Sequence, residues 1–327
     1  MPKTKRVAQA PEEPLPELDE FLALFQFKFR RRESRDATER YLTGLLTEHP
    51  NKNCDTLAAV VPGTSEQQLQ GLLTDMVWDE VDLTHQRVEV LKTLHTEGDG
   101  VLVFDDTGFA KQGKASVGVA RQYSGTLGKV GNCQVTVNCH YAERTVAWPV
   151  NTRLYLPGSW ANDPARRAKA QVPAEVGFQT KAEIALGLLD EARSWAVKHA
   201  CVVADADYGD NPAFLNGLEA RRERMVVAIR ANFTVATARR TSVAGQRADD
   251  VAGVLIDPLL LNRASCVMEK ILDFGLTLPG SHSTACEAIS HQRPIGQIHF
   301  QRLGETRAGE QRGDDQRSRD SAGQSSI

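Results

Sequence analysis

The sequence has no excess of charge of either sign, no long apolar run, and few, scattered cysteines. Its 327 residues carry 39 Lys and Arg against 42 Asp and Glu, a formal net charge of −3. That excludes a uniformly basic coat for nucleic acid, although a local basic cleft is still allowed because a field depends on where the charges sit. No stretch approaches the roughly 20 apolar residues that span a bilayer. The start, MPKTKRVAQAPEEPLPELDE, has no secretory-type apolar segment. A cytoplasmic chain without a membrane partner is the expectation. Cys54, Cys133, Cys139, Cys201, Cys266 and Cys286 form no CxxC pair, and the dispersed histidines form no HExxH. A disulfide scaffold and a cysteine-rich zinc domain are therefore excluded. There is also no GxxxxGK[ST] phosphate loop and no GxSxG nucleophile elbow. What is present, 41% hydrophobic and 25% charged residues, is ordinary globular material for two or three domains.

Residues 1–17, rich in Pro and Glu, read as a loose tail. From Leu18 the apolar residues Phe21, Leu22, Phe25 and Phe29 recur at helical spacing and run into a basic cluster, Lys28 and Arg30 to Arg32. Asp36 followed by Glu39 reads as a capping pair that opens a second helix through Tyr41, Leu42 and Leu45. A short helix around Leu57–Val61, a Pro62-Gly63-Thr64 turn and a helix with Leu69, Leu72 and Met76 follow. Helix, turn and helix is the shape of a DNA-reading element, and equally of a plain helical bundle. The span 18–98 is thus expected to be helical, with DNA binding as its functional reading.

Near Gly98 the pattern changes. Val101-Leu102-Val103-Phe104 is a short apolar run, as expected of a strand covered on both faces, and it ends in Asp105-Asp106-Thr107-Gly108. Segments around Val119–Tyr123, Cys133–Tyr141 and Val146–Leu156 read as antiparallel hairpin strands. Thr180, with Glu183 three residues on, caps a helix through Ile184, Leu188 and Ala192. Cys201-Val202-Val203-Ala204 is a second buried strand ending in Asp205-Ala206-Asp207. Asn211-Pro212 opens another helix, and Met225–Ile229 is the last clear strand. Hairpins followed by strand–helix alternation give a mixed α/β sheet of ribonuclease H-like order over 99–235. In that order the first strand and the strand after the first core helix are parallel neighbours, which brings Asp105 and Asp205 together.

Paired carboxylates at neighbouring strand ends suit hard divalent cations. Two such ions about 4 Å apart are the machinery of phosphodiester cleavage. An isolated Asp-Asp-Thr-Gly would read as a turn, but two Asp-rich strand ends in one topology favour the metal. A haloacid-dehalogenase-type phosphatase needs a second Asp two positions after the first. Thr107 and Gly108 stand at the two candidate positions, so that reading is rejected.

The block DDTGFAKQGKASVGVARQYSGTLGKVGNCQ (105–134) resembles the insertion-sequence DDE transposases of the insertion-sequence-seven-hundred-and-one group. So do RLYLPGSWANDPARR (153–167), TKAEIAL (180–186), VVADADYG (202–209) and RANFTVATARR (230–240). The resemblance covers roughly residues 15–250. It implies a ribonuclease H-like transposase that uses Mg²⁺, or Mn²⁺ in its place, to cut terminal inverted repeats and join the freed 3′-hydroxyl to target DNA. It implies Asp105 as the first catalytic and metal-binding acid, with Asp106 as the alternative or an added ligand, and Asp205 as the second. Lys111, Arg121 and Lys129, within the matching block, are the DNA-binding candidates. The implied partner is double-stranded DNA, on which the chain acts as a homo-oligomer associated with the nucleoid.

The family's third acid, a Glu on a later helix, has no counterpart here. Glu219 and Glu223 come too early, and Glu269, Glu287, Glu305 and Glu310 lack the expected neighbours. From about Val254 the text loses both the resemblance and any periodicity, and 236–327 reads as a divergent, partly disordered tail. The expectation is a frameshifted or truncated copy, impaired in cleavage but able to bind DNA.

Overall fold

A computed structural model describes residues 9–94 and 99–230, together with the backbone of two short paired strands at 234–235 and 246–247. Expectations for 1–8 and for the tail, including Glu269, Glu287, Glu305 and Glu310, lie outside the described residues. The front of the chain is helical: α1 (Pro16–Ala23), a 3₁₀ turn (Gln26–Lys28), α2 (Arg32–Leu46), α3 (Cys54–Val60), α4 (Glu66–Thr74) and α5 (Glu80–Leu94). Asn53 caps α3 in a reciprocal box with Thr56, and Ser65 caps α4. These side-chain acceptors satisfy N–H groups that a helix start otherwise leaves unpaired. Between them Gly63 adopts φ +72°, which closes the turn.

Two features of this region differ from the sequence reading. The helix expected over 18–29 breaks after Ala23, and Phe25 and Phe29 turn inward with Val90, against Trp148. The next helix opens at Arg32, four residues before the expected cap at Asp36. Glu39 does not reach back to that cap, because its buried carboxylate holds Arg40 and accepts from Thr43 Oγ1 at 2.7 Å. The Arg40 guanidinium in turn donates to the carbonyls of Pro11 and Glu12 at 3.2 and 3.0 Å, which fastens that part of the expected loose tail.

The rest is a mixed sheet with helices. Its strands are β1 (Val101–Ala110), β2 (Ala120–Ser124), β3 (Lys129–Ala142), β4 (Ala147–Leu154), β5 (Cys201–Ala204) and β6 (Met225–Val227). The helices are α6 (Gly158–Ala161), α7 (Pro164–Lys169), α8 (Lys181–Ser194), α9 (Ala206–Gly209) and α10 (Pro212–Ala220). β3 runs antiparallel to β1, β2 and β4, whereas β5 runs parallel to β1 and β6 parallel to β5. The order β4–β3–β1–β5–β6, three hairpin strands and then two parallel ones, is the ribonuclease H-like arrangement expected.

Period-two alternation sorts the side chains to two faces. Leu102, Phe104, Val137, Cys139 and Val202 pack with Leu188, Leu189 and Phe214 of α8 and α10, and with Val88 and Leu91 of α5. Val101, Val103, Cys201 and Val203 form a smaller cluster on the other face. Burying each such Val, Leu or Phe contributes about 1.5–3 kcal/mol, so the sheet carries the architecture. α5 was not anticipated as a separate element, yet it ties the helical front to the sheet. The Arg87 guanidinium donates to the Val150 carbonyl at 3.0 Å, and Trp148 Nε1 donates to the Arg87 carbonyl at 3.2 Å. Among the described residues no helix is long and apolar enough to cross a membrane.

Candidate active site

The site grows from the parallel pairing of β1 with β5. Their register ends at Phe104 opposite Ala204, and the next residue on each strand is an aspartate, Asp105 or Asp205. After this point the two chains part. β5 stops, and Asp205 caps α9, its carboxylate accepting from the Asp207 N–H at 3.0 Å. β1 instead runs on through Asp105-Asp106-Thr107-Gly108 to Ala110, because β3 keeps pairing it from Asn138 to Cys133. The Asp-Asp-Thr-Gly stretch is therefore mid-strand, and Asp105 and Asp106 point to opposite faces of the sheet.

That alternation separates four neighbouring acids into two kinds. Asp106, on the helix-covered face, is engaged at both oxygens: Lys181 Nζ lies 2.5 Å from one, and Tyr208 donates its hydroxyl to the other at 2.6 Å. Asp207 pairs with the Arg230 guanidinium at 2.5 Å, and the same guanidinium reaches Asp210 at 2.7 Å. Asp105 and Asp205 take part in no ion pair among the described residues. Asp105 accepts the Asp106 N–H at 2.7 Å. Burial above all, and then the charges of Asp205, Asp106 and Asp207, push its carboxyl up to about 7. Burial and then Asp207 raise Asp205 to about 6. In each case bonds from backbone N–H groups work the other way.

Two half-buried carboxylates, each with a raised proton affinity and neither paired with a cation among the described residues, are a donor set that suits a hard divalent ion. The chemistry of the pair fits such a group. Among the described residues, no group of three or more His, Cys, Asp or Glu is arranged to hold a metal.

A cavity opens over the pair, lined by Asp105, Asp205, Lys181, Tyr208, Tyr123 and Ser124 among others. A groove of about 240 Å³ adjoins it, sharing Asp106, Lys181, Asp207 and Tyr208 and extending to Tyr155, Thr180 and Asn211. Two glycines permit the close approaches. A Cβ on Gly108 would overlap Ser124, which holds the β2 hairpin against β1, and a Cβ on Gly209 would collide with the Ala228 carbonyl.

The three cations singled out in the sequence stand elsewhere. Lys111 follows β1 and bonds through its backbone to Asn132, Arg121 pairs across from Asn132, and Lys129 pairs with Ser124. All three are exposed on the β1–β2–β3 ribbon, and none lines the cavity. The cation that does line it, Lys181, went unnoticed in the sequence because it reads as the first residue of a capped helix. Two residues of the 153–167 segment have a structural use. Trp160 donates its indole N–H to the Val119 carbonyl at 2.8 Å, and Arg166 stacks 3.7 Å from the Trp160 ring while bonding the Lys114 carbonyl. Together they fasten the loop that follows β1.

A family model described as "DDE superfamily endonuclease" matches residues 21–253. A probable transposase for insertion sequence element IS701 from Microchaete diplosiphon is 27% identical over 219 residues, 67% of this chain and 55% of that protein. The chain thus spans about half the length of the curated relative it matches. Among solved structures, the Mos1 mariner paired end complex with Mn aligns over 65% of this chain and 68% of that one, at 15% identity and a TM-score of 0.18.

Proposed function

The chain belongs to the DDE superfamily endonucleases, and from that premise we propose that it is a transposase of a bacterial insertion sequence, with Asp105 and Asp205 as its catalytic, metal-holding acids. DDE superfamily endonucleases generally use divalent metal ions. Mg²⁺ is the ion proposed here, with Mn²⁺ able to replace it, because both favour carboxylate oxygens. One observation supports this most directly: of four clustered acids, two are neutralised by Lys181 and Arg230, and the two without an ion pair among the described residues directly follow the last paired residues of β1 and β5.

When bound between such acids, divalent ions stabilise charge on the attacking and leaving oxygens of a phosphodiester. The chain's own residues have separate tasks. Asp105 and Asp205 would hold the ions, which would offset the negative charge of the two carboxylates. Asp106 is a positioning residue rather than a ligand: its bonds to Lys181 and Tyr208 fix β1 against α8 and α9. Arg230 offsets the charge of Asp207 beside the pair. Lys111, Arg121 and Lys129 contact DNA phosphates along the exposed ribbon, and the helical front over 18–98 binds the element's terminal inverted repeats. The chain assembles on DNA as a homo-oligomer.

With no third acid beside these two among the described residues, the core over 99–235 is read as incomplete and cleavage by the chain as impaired. The test uses labelled terminal-repeat duplex with Mg²⁺ or Mn²⁺. The expected result is a mobility shift without nicked product. Restoring the Glu-bearing continuation from a neighbouring reading frame should then produce nicking that Asp105→Asn or Asp205→Asn abolishes. Nicking by the unrestored chain that depends on both acids would overturn the impairment. Nicking indifferent to both would overturn the site.

A further inference from the structure

Lys181 has an environment that its role as the first residue of α8 does not explain. Its side chain is 35% exposed, and it leans into the protein to pair with Asp106. Its ammonium lies 5.9 Å from the centre of the Tyr155 ring. It lines both the cavity over Asp105 and Asp205 and the groove that leads from there past Tyr155 to Asn211. Among the described residues it is the one cation that lines either space. Asp106 satisfies one of its three N–H donors, and the remaining two face space rather than a protein acceptor, since no other bond from Nζ is formed among the described residues.

A strand of nucleic acid entering the groove carries one negative charge per nucleotide. The charged residues it meets there are aspartates, except for Lys181. We propose that Lys181 binds a backbone phosphate of that strand, bridging it to Asp106, and thereby sets the position of the phosphodiester relative to Asp105 and Asp205. This inference rests on the reading of the site as a DNA-processing one. The groove, rather than the ribbon that carries Lys111, Arg121 and Lys129, is then the path of the strand being processed. Asp106, itself held by the Tyr208 hydroxyl, holds the ammonium in place, so its contact is made with little loss of side-chain freedom.

The experiment measures binding of the full chain to terminal-repeat duplex with Ca²⁺, which supports binding without cleavage, as a function of salt. Lys181→Met is expected to lower the slope of log affinity against log salt by about 1, the signature of one lost phosphate contact. Lys181→Arg, which keeps the charge, is expected to retain the slope. Replacing single phosphates by neutral methylphosphonates should reveal one position at which wild type and Lys181→Arg lose affinity and Lys181→Met loses no more. Circular dichroism of each variant shows that the fold is kept, and Lys181→Gln, which also removes the charge, carries the test if Lys181→Met does not fold. An unchanged slope, or a Lys181→Met variant as sensitive as wild type at every phosphate, overturns this inference alone. Absence of any binding by wild type overturns the DNA reading and this inference with it.

Discussion

Gly209 sits where α9 meets the end of β6, and its hydrogen faces the Ala228 carbonyl with no room for a methyl group. Gly209→Ala must displace either β6 or the turn that holds Asp205, and a cost of about 2–4 kcal/mol is expected for overpacking against backbone. Urea unfolding checks it, and a midpoint equal to wild type would contradict it. Asp105 makes the opposite prediction. Its carboxyl, raised to about 7 by burial and its acidic neighbours, binds a proton more tightly in the folded chain than in the unfolded one. The metal-free protein therefore loses stability as pH rises from about 4 to about 7. Asp105→Asn should gain stability over wild type across that window and level off above it, by roughly 4 kcal/mol at pH 8. A gain that does not vary with pH would refute the assignment. Single residues of this kind were partly legible. Asp105 and Asp205 stand out as acids that follow apolar runs. Their partners do not: Lys181 and Tyr208 reach Asp106 from 75 and 102 residues away, and nothing local marks either.

Elements were legible where a short-range chemical signal sets them. Thr180 and Glu183 form the reciprocal cap that opens α8, and Asn211 caps α10 through two N–H groups. Thr180→Ala should cost about 1 kcal/mol, measured by denaturant unfolding, and should loosen Lys181 at the first position of the same helix. No loss on removing the cap would show that packing of Ile184 and Leu188 alone fixes where α8 begins. Elements failed to be read where distant chain decides. β1 looks as if it should end at Asp105, because Asp and Gly favour turns, but ten residues of pairing with β3 carry it to Ala110. α2 starts early because Glu39, the apparent capping partner, is claimed by Arg40 and Thr43. α5 escaped notice because its apolar residues are diluted by charge, yet Val88 and Leu91 enter the main core.

At the scale of the molecule, strand order turned two separate Asp-ending runs into one site, and order is what a mixed sheet of this class prescribes. The division of labour within the site was not prescribed. It follows from which face each acid takes and which cation reaches it. If Asp105 and Asp205 are the metal pair, a divalent ion should also raise the melting temperature of wild type, by the equivalent of about 2.7 kcal/mol at a hundredfold excess over Kd. The most direct measurement is calorimetric titration of Mn²⁺ into the full chain and into Asp105→Asn, Asp205→Asn and Asp106→Asn. The account predicts binding by wild type, its loss in each of the first two variants, and its retention in the third. Binding that survives both Asp105→Asn and Asp205→Asn, or that is lost only with Asp106, would contradict it.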